Sequence, residues 1–293
     1  MTRKILNVWV CDYSDNTGEG KLARFFVQNL KLDKKNQLKF NQKKKLKYKY
    51  ISTIQGIIFC WKKYLKNERV CYLNYLPLWN FLIFIFLPPK TILGPITGGS
   101  NYSKNININY MIRSFLFPIF YKLSELFLNI RSRKILFSTD LLKKNLSIIT
   151  IKKSEFNFVL KFFSLRKTKK KKIDFLIYYR KHKNKKDLFP YDFIKKIIKL
   201  KFKISIIGDK LNYPGVKNYG KISNRKVLYL QSISKYTIAS GENLYSFFVL
   251  ECLSNNVKII IDKLQNNKIK FLKKNFIELH YNSKNILKNL KKL

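Results

Sequence analysis

The sequence has little that would staple it, bind metal or thread it through a membrane. It has four cysteines, Cys11, Cys60, Cys71 and Cys252; no two form a CxxC pair, and each lies in an apolar run. That argues against a disulfide framework and a zinc site and reads as buried, reduced thiols. Only two histidines occur, His182 and His280, and neither has a serine or cysteine at a legible triad spacing. Walker loops, zinc-ligand spacings and nucleic-acid signatures are missing as well. The longest apolar run, Leu76 to Leu87, stops at Pro88-Pro89, short of the ~20 residues a spanning helix needs. It reads either as a core helix or, with Trp79, as a segment dipping into a membrane interface. The opening MTRKILNVWVCDYSD meets Asp12 and Asp15 too soon for a secretory apolar region. A cytoplasmic location is therefore expected, with peripheral contact to the inner face of an anionic membrane.

Acid is scarce too. Sixteen Asp and Glu stand against 61 Lys and Arg, a formal net charge of +45 at pH 7. A field of that size draws polyanions: nucleic acid, lipid head groups, nucleotide diphosphates. The excess is nearly all Lys, alongside much Asn, Ile, Phe and Tyr, and an AT-rich genome would give the same mixture with no ligand in view. Arg, the usual reader of phosphate through its bidentate fork, is scarce, so nucleic acid is an unlikely partner. Hydrophobic residues make up 46% of 293, enough to bury the core of one large or two medium domains.

Strand and helix signals alternate along the chain. Strands are expected at 5–10, 50–54, 70–75, 91–93, 134–138 and 147–151. Helices are expected at 21–30, 56–66 and 78–87, with a longer one through 112–130 that Pro118 should kink. Lys31 to Tyr50 is basic and reads as a loop or frayed helix with an edge strand. From Lys152 to Lys172, ending in RKTKKKK, the pattern breaks. It resumes with strands at 174–179, 204–207, 236–239, 257–261 and 276–281. The intervening helices fall at 190–200, 224–233 and 245–253, and a closing helix runs through 282–293. Apolar strands alternating with helices imply parallel sheets covered on both faces. The expected fold is α/β with two doubly wound, Rossmann-like domains facing a cleft: a first domain over 1–151, a basic linker over 152–172, and a second domain with the closing helix over 173–293.

Two segments could carry chemistry. In YYRKHKNKK, Arg180 ends a strand and Lys185 follows five residues later. Two cations at a strand's carboxyl end could clamp a diphosphate, although a Lys-rich surface would contain the same residues. In SGENLYSFFVLECLSNNVKIII a strand ends at Ser240-Gly241, and a helix is expected near Tyr245. Backbone N–H groups from Leu244 through Tyr245 and Ser246 to Phe247 would then face a phosphate. Glu251, further along that helix, needs a partner and could accept ribose hydroxyls. The bland alternative is a capping Glu242 and an exposed Glu251.

Together these segments resemble the retaining GT-B glycosyltransferases of family 4. Arg180 and Lys185 keep that family's Arg-to-Lys interval, and IIGD, with Gly208 and Asp209, keeps its next strand end. Val216, Gly220, Ile222 and Val227 follow, and Glu251 through Ile260 match its E-a-l-s segment. Earlier, TGEGKLAR with Gly18, Glu19 and Gly20 is similar to the family's acceptor-side glycine loop, and LGPITGG to its GP-x-x-GG turn. The resemblance spans roughly residues 5–262. It implies transfer of a sugar from a nucleotide-sugar to a glycan or lipid-linked acceptor. Glu242, Arg180 and Lys185 would be catalytic, and Gly208, Asn243, Leu244, Tyr245, Ser246 and Glu251 would join them around the donor. Eight residues separate Glu242 from Glu251 where the family has seven, so either Asn243 takes the first acid's place or the loop has gained a residue. Lys258 replaces a usual Pro. No DxD motif occurs, so neither metal nor another cofactor is expected; the leaving-group charge would fall to Arg180, Lys185 and the helix start. Three alternatives stay open: a non-catalytic basic protein that binds RNA or membrane, a GT-B pseudoenzyme, and a fucosyltransferase-like enzyme suggested by the IAxxEN pattern.

Overall fold

The computed structural model describes residues 6–30, 39–41, 49–98, 108–167, 169–181, 189–239, 243–283 and 286–291. They fall into two compact units that part between Phe162 and Phe163.

In the first unit the elements run β1 (Leu6–Val10), α1 (Gly18–Asn29), β2 (Lys39–Asn41), α2 (Lys49–Tyr64), β3 (Arg69–Leu73), α3 (Phe81–Phe86), β4 (Ile92–Leu93), α4 (Ile108–Arg131), β5 (Ile135–Leu136), α5 (Ile148–Lys152) and β6 (Ser154–Glu155). The described strands β2-β1-β3-β4 form one parallel sheet, and β5-β6 a second small one. All five residues of β1, LNVWV, are buried, as a central parallel strand covered on both faces requires. Gly56 lets α2 lie on this sheet. A Cβ there would sit 2.7 Å from Cε2 of Tyr72 and closer still to the Trp9 indole.

Two sequence expectations change here, and for Leu76–Leu87 the core-helix reading holds. Residues 50–54 are helical: they open α2, where Ile51, Ile54 and Ile58 continue a period of three and four that a five-residue window reads as strand. Residues 147–151 are helical too. Ser147 caps α5 by accepting a hydrogen bond from the Thr150 N–H, so a local cap overrides the β-branched run IITI. The Leu76–Leu87 segment is core, since Leu76, Leu78, Ile83, Phe84 and Leu87 are all buried and Trp79 stacks on Phe117. No helix among the described residues is long and apolar enough to cross a membrane.

The second unit runs β7 (Ile173–Tyr179), α6 (Tyr191–Lys199), β8 (Ile204–Gly208), β9 (Val216–Asn218), α7 (Asn224–Ser232), β10 (Ser234–Ile238), α8 (Phe247–Ser254), β11 (Lys258–Asp262), β12 (Phe276–Leu279) and α9 (Ile286–Lys291). Its described strands form a parallel sheet in the order β12-β11-β10-β7-β8-β9. Alternation along β7 sorts the core onto two faces. Phe175 and Ile177 pack with Phe193, Ile194 and Ile197 of α6, while Leu176 packs with Leu230 of α7.

All four cysteines are buried free thiols. Burial pushes the Cys60 thiol up to about 12 and raises Cys11, Cys71 and Cys252 as well. A raised value keeps the unreactive protonated form through neutral and mildly alkaline pH. Alkylation of the native chain without reductant should therefore be slow, and four thiols should label once it is unfolded. Fewer than four labels would reveal a bridge and overturn the reduced assignment.

Candidate functional site

In each sheet the strand order reverses at one place. In the second unit it reverses between β7 and β10, from which the order grows outward to β9 on one side and β12 on the other. Ligands of doubly wound sheets bind at the carboxyl ends of the strands at such a switch point. The carboxyl end of β7 is Tyr179, so the exposed Arg180 stands at this point.

Its loop is held by backbone. The Lys181 N–H donates to Oδ2 of Asp209 at 2.8 Å, and the Asp209 N–H to the Tyr179 carbonyl at 2.9 Å. Gly208 makes this close pairing feasible. Its φ is +98°, and a Cβ would fall on the Tyr179 carbonyl oxygen, well inside contact distance. Gly208 thus supports the strand end that carries Arg180. Lys185 and Glu242 lie outside the described residues.

Following β10, the described chain resumes at Asn243. Its side-chain oxygen accepts the Tyr245 N–H at 2.9 Å, which closes a turn. Leu244 and Tyr245 are buried. The Tyr245 hydroxyl accepts from the N–H groups of Lys270 and Phe271, at 2.8 and 2.7 Å, and donates to the Phe271 carbonyl. These side chains anchor the segment after β11. The helix start therefore moves: Ser246 is the N-cap, accepting from the Val249 N–H, and α8 begins at Phe247. The start lies two residues beyond Tyr245 because Ser246, in extended backbone, supplies the cap to the Val249 N–H. Glu251 then lies about one turn into α8 rather than two. Its Oε2 accepts from Nε2 of Gln231 at 3.4 Å, which supplies the partner that a half-buried carboxylate needs. Gln231 is itself fully buried, and its side-chain oxygen has no partner among the described residues.

The first unit has its own reversal, between β1 and β3. There Asp12, four per cent exposed, ties three segments together. Its N–H donates to Oδ1 of Asn74 at 3.2 Å, its Oδ1 accepts the Ser14 N–H at 2.9 Å, and its Oδ2 accepts the Thr17 hydroxyl. Thr17 caps α1 by accepting the Gly20 N–H, and Nδ2 of Asn74 donates to the Glu19 carbonyl at 2.9 Å. A Cβ on Gly20 would meet the Ser14 N at 2.6 Å and Oδ1 of Asp12 at 2.8 Å. Of the expected loop residues, Gly18 is exposed and Gly20 buried. Tyr75 stands beside them in the left-handed region, and its hydroxyl is pushed up to about 12 by burial and then by the charges of Asp12, Glu19 and Cys11. Sequence reading passed over Asp12, Thr17, Asn74 and Tyr75 as site residues. Thr17 before a glycine-bearing helix start was the one local signal for this network. Among the described residues no three of His, Cys, Asp and Glu gather as a metal site.

Comparison with known proteins gives a fold. No family model and no curated protein matches the sequence. Among solved structures, a glycosyltransferase from Rickettsia africae is similar over 100% of this chain and 88% of its own, at 10% identity and a TM-score of 0.51. A putative UDP-N-acetylglucosamine 2-epimerase from Listeria monocytogenes is similar over 99% and 89%, at 8% identity and a TM-score of 0.50. At such identities the likeness is one of fold alone: the chain has two Rossmann-like α/β domains of the GT-B kind.

Proposed function

We propose that this chain is a glycosyltransferase of the retaining family 4 kind. It moves a sugar from a nucleotide-sugar donor to a glycan or lipid-linked acceptor in cell-envelope polysaccharide synthesis, at the inner face of the cell membrane. One observation carries the reading: Arg180 stands on the β7 carboxyl end at the switch point of the second sheet, held there by the Gly208–Asp209 turn. A guanidinium so placed binds a diphosphate through paired hydrogen bonds. It stabilises the charge that develops as the nucleotide leaves. Lys185 and Glu242 complete the clamp by resemblance, and Glu251 holds the ribose. The Asp12–Thr17–Asn74 network fixes the acceptor-side loop. The fold shared with a glycosyltransferase supports this assignment, and the fold shared with a putative UDP-sugar epimerase favours the same donor class.

The test is thermal unfolding of the chain with GDP-, UDP-, ADP- and TDP-sugars, in EDTA and without it. One donor at a hundredfold its Kd should add about 2.7 kcal/mol, undiminished by chelator because the sequence has no DxD. Loss of the shift in EDTA would overturn the metal-free clamp, and no shift with any donor would overturn the transferase. The fate of the sugar, transferred or epimerised, separates the two activities found on this fold.

A further inference from the structure

Helix α2 is apolar on two faces. One lies on the sheet through Gly56 and Cys60. The other carries Ile51, Ile54, Ile58, Trp61 and, just past its end, Leu65, spaced three and four apart and all exposed, Ile54 at 58% and Leu65 at 74%. A solvent-facing helix shows charge there instead. On α4, Phe115 and Ile130, 72% and 74% exposed, lie on one face with Ile119 and Leu126, with the exposed Lys122 among them.

Hydrogen bonds join these stripes into one surface. Nε1 of Trp61 donates to the Phe86 carbonyl at 2.7 Å, bringing the exposed Phe86 of α3 beside α2. The Arg131 guanidinium donates to the carbonyls of Ile85, Leu87 and Pro88, bringing the end of α4 beside α3. Asn129 donates to Thr150, and the Ser147 N–H to Glu125, which brings α5 and its exposed Ile148 and Ile149 against α4. Large exposed apolar residues gathered on adjoining elements in this way mark an interaction site.

Charge identifies what covers it. Helices α2, α3 and α5 contain no carboxylate, and the one in α4, Glu125, is four per cent exposed and taken up by Lys122 and Ser147. Around the apolar residues stand exposed Lys62, Lys66, Lys90, Arg133 and Lys152. An apolar stripe in a cationic rim complements a bilayer with anionic head groups. A second copy of the chain, at +45, would meet this face with like charge.

We infer that the α2–α5 face of the first unit is a membrane-docking surface that seats on anionic lipid through Ile54, Ile58, Trp61 and Leu65. The inference rests on the membrane reading proposed above and names its surface, which draws Phe86 from the Leu76–Leu87 run and is otherwise built from α2, α4 and α5. The test is co-sedimentation of the full chain with phosphatidylcholine vesicles of rising phosphatidylglycerol content, at low and high salt. Binding should rise with anionic lipid and weaken with salt. The variant I54D/I58D, altered only at exposed positions, should melt as the parent does and lose at least about tenfold in partitioning. Tryptophan emission should shift to the blue on binding, and brominated lipid should quench a smaller share of it in W61F, which keeps only Trp9 and Trp79. Vesicle binding that is absent at low salt, or equal in the variant, overturns the inference, as does a self-association that I54D/I58D abolishes. Donor-induced stabilisation, measured without vesicles, reports on the transferase separately, so either idea can fail alone.

Discussion

Replacing Arg180 with Ala should lower sugar transfer by ~100-fold or more, the usual loss when one preorganised donor to a developing anion is removed. The side chain is exposed and follows the last residue of β7. Its loop is held by the backbone of Lys181 and by Asp209, so the substitution should leave the melting temperature unchanged. Arg180→Lys keeps a charge at the strand end but loses the paired geometry, and it should fall between the two. The decisive measurement is turnover with the donor that the thermal screen identifies, alongside the affinity for the free nucleotide diphosphate. Full turnover in Arg180→Ala, with an unaltered affinity, would remove Arg180 from the site.

Gly208→Ala should be the most damaging small change in the second unit. The backbone there has a φ of +98°, and the added methyl would occupy the Tyr179 carbonyl oxygen. That oxygen is also the acceptor of the Asp209 N–H. Strain in this region and displacement of a strand end together cost about 2–4 kcal/mol, a fall of roughly 10 °C in Tm. Whatever fraction folds should bind donor more weakly, because the β7 carboxyl end carries Arg180. Gly215→Ala makes a useful comparison: φ is +77° there, yet no atom lies within contact reach of the new methyl. Its loss should be smaller, confined to backbone strain. Equal losses at the two glycines would show that the Tyr179 contact does not matter.

Much of this architecture could be read from residue pattern. Apolar runs such as NVWV and ISII read as buried strands through their place in a strand–helix alternation, which implies two doubly wound sheets. What escaped was of two kinds. Short β-branched stretches, 50–54 and 147–151, read as strands in isolation although they begin helices. In the first the period shows only over a longer window, and in the second a single cap decides. The Asp12–Asn74 link was invisible because its partners are 62 residues apart and neither belongs to a local motif. In the second half the expected strands and helices recur in order. The helix expected near Tyr245 starts two residues further on, at Phe247, because the extended Ser246 accepts the Val249 N–H as its cap while Asn243 closes only a local turn.

The strand order has a consequence for how the chain is made. In the second unit β8 lies beside β7 and β9 beside β8; β10 then joins the free side of β7, with β11 and β12 following outward. The first sheet grows likewise, β2 and then β3 on the two sides of β1, and β4 beside β3. No described strand has to be inserted between two earlier ones. Each can pair with an open edge as it leaves the ribosome, so the nascent chain can accrete its sheets in order of synthesis. The slow steps of such growth are the two pairings across the longest stretches of chain, β3 to β1, Arg69 to Leu6, and β10 to β7, Ser234 to Ile173, because each long intervening segment must close before any pairing rewards it.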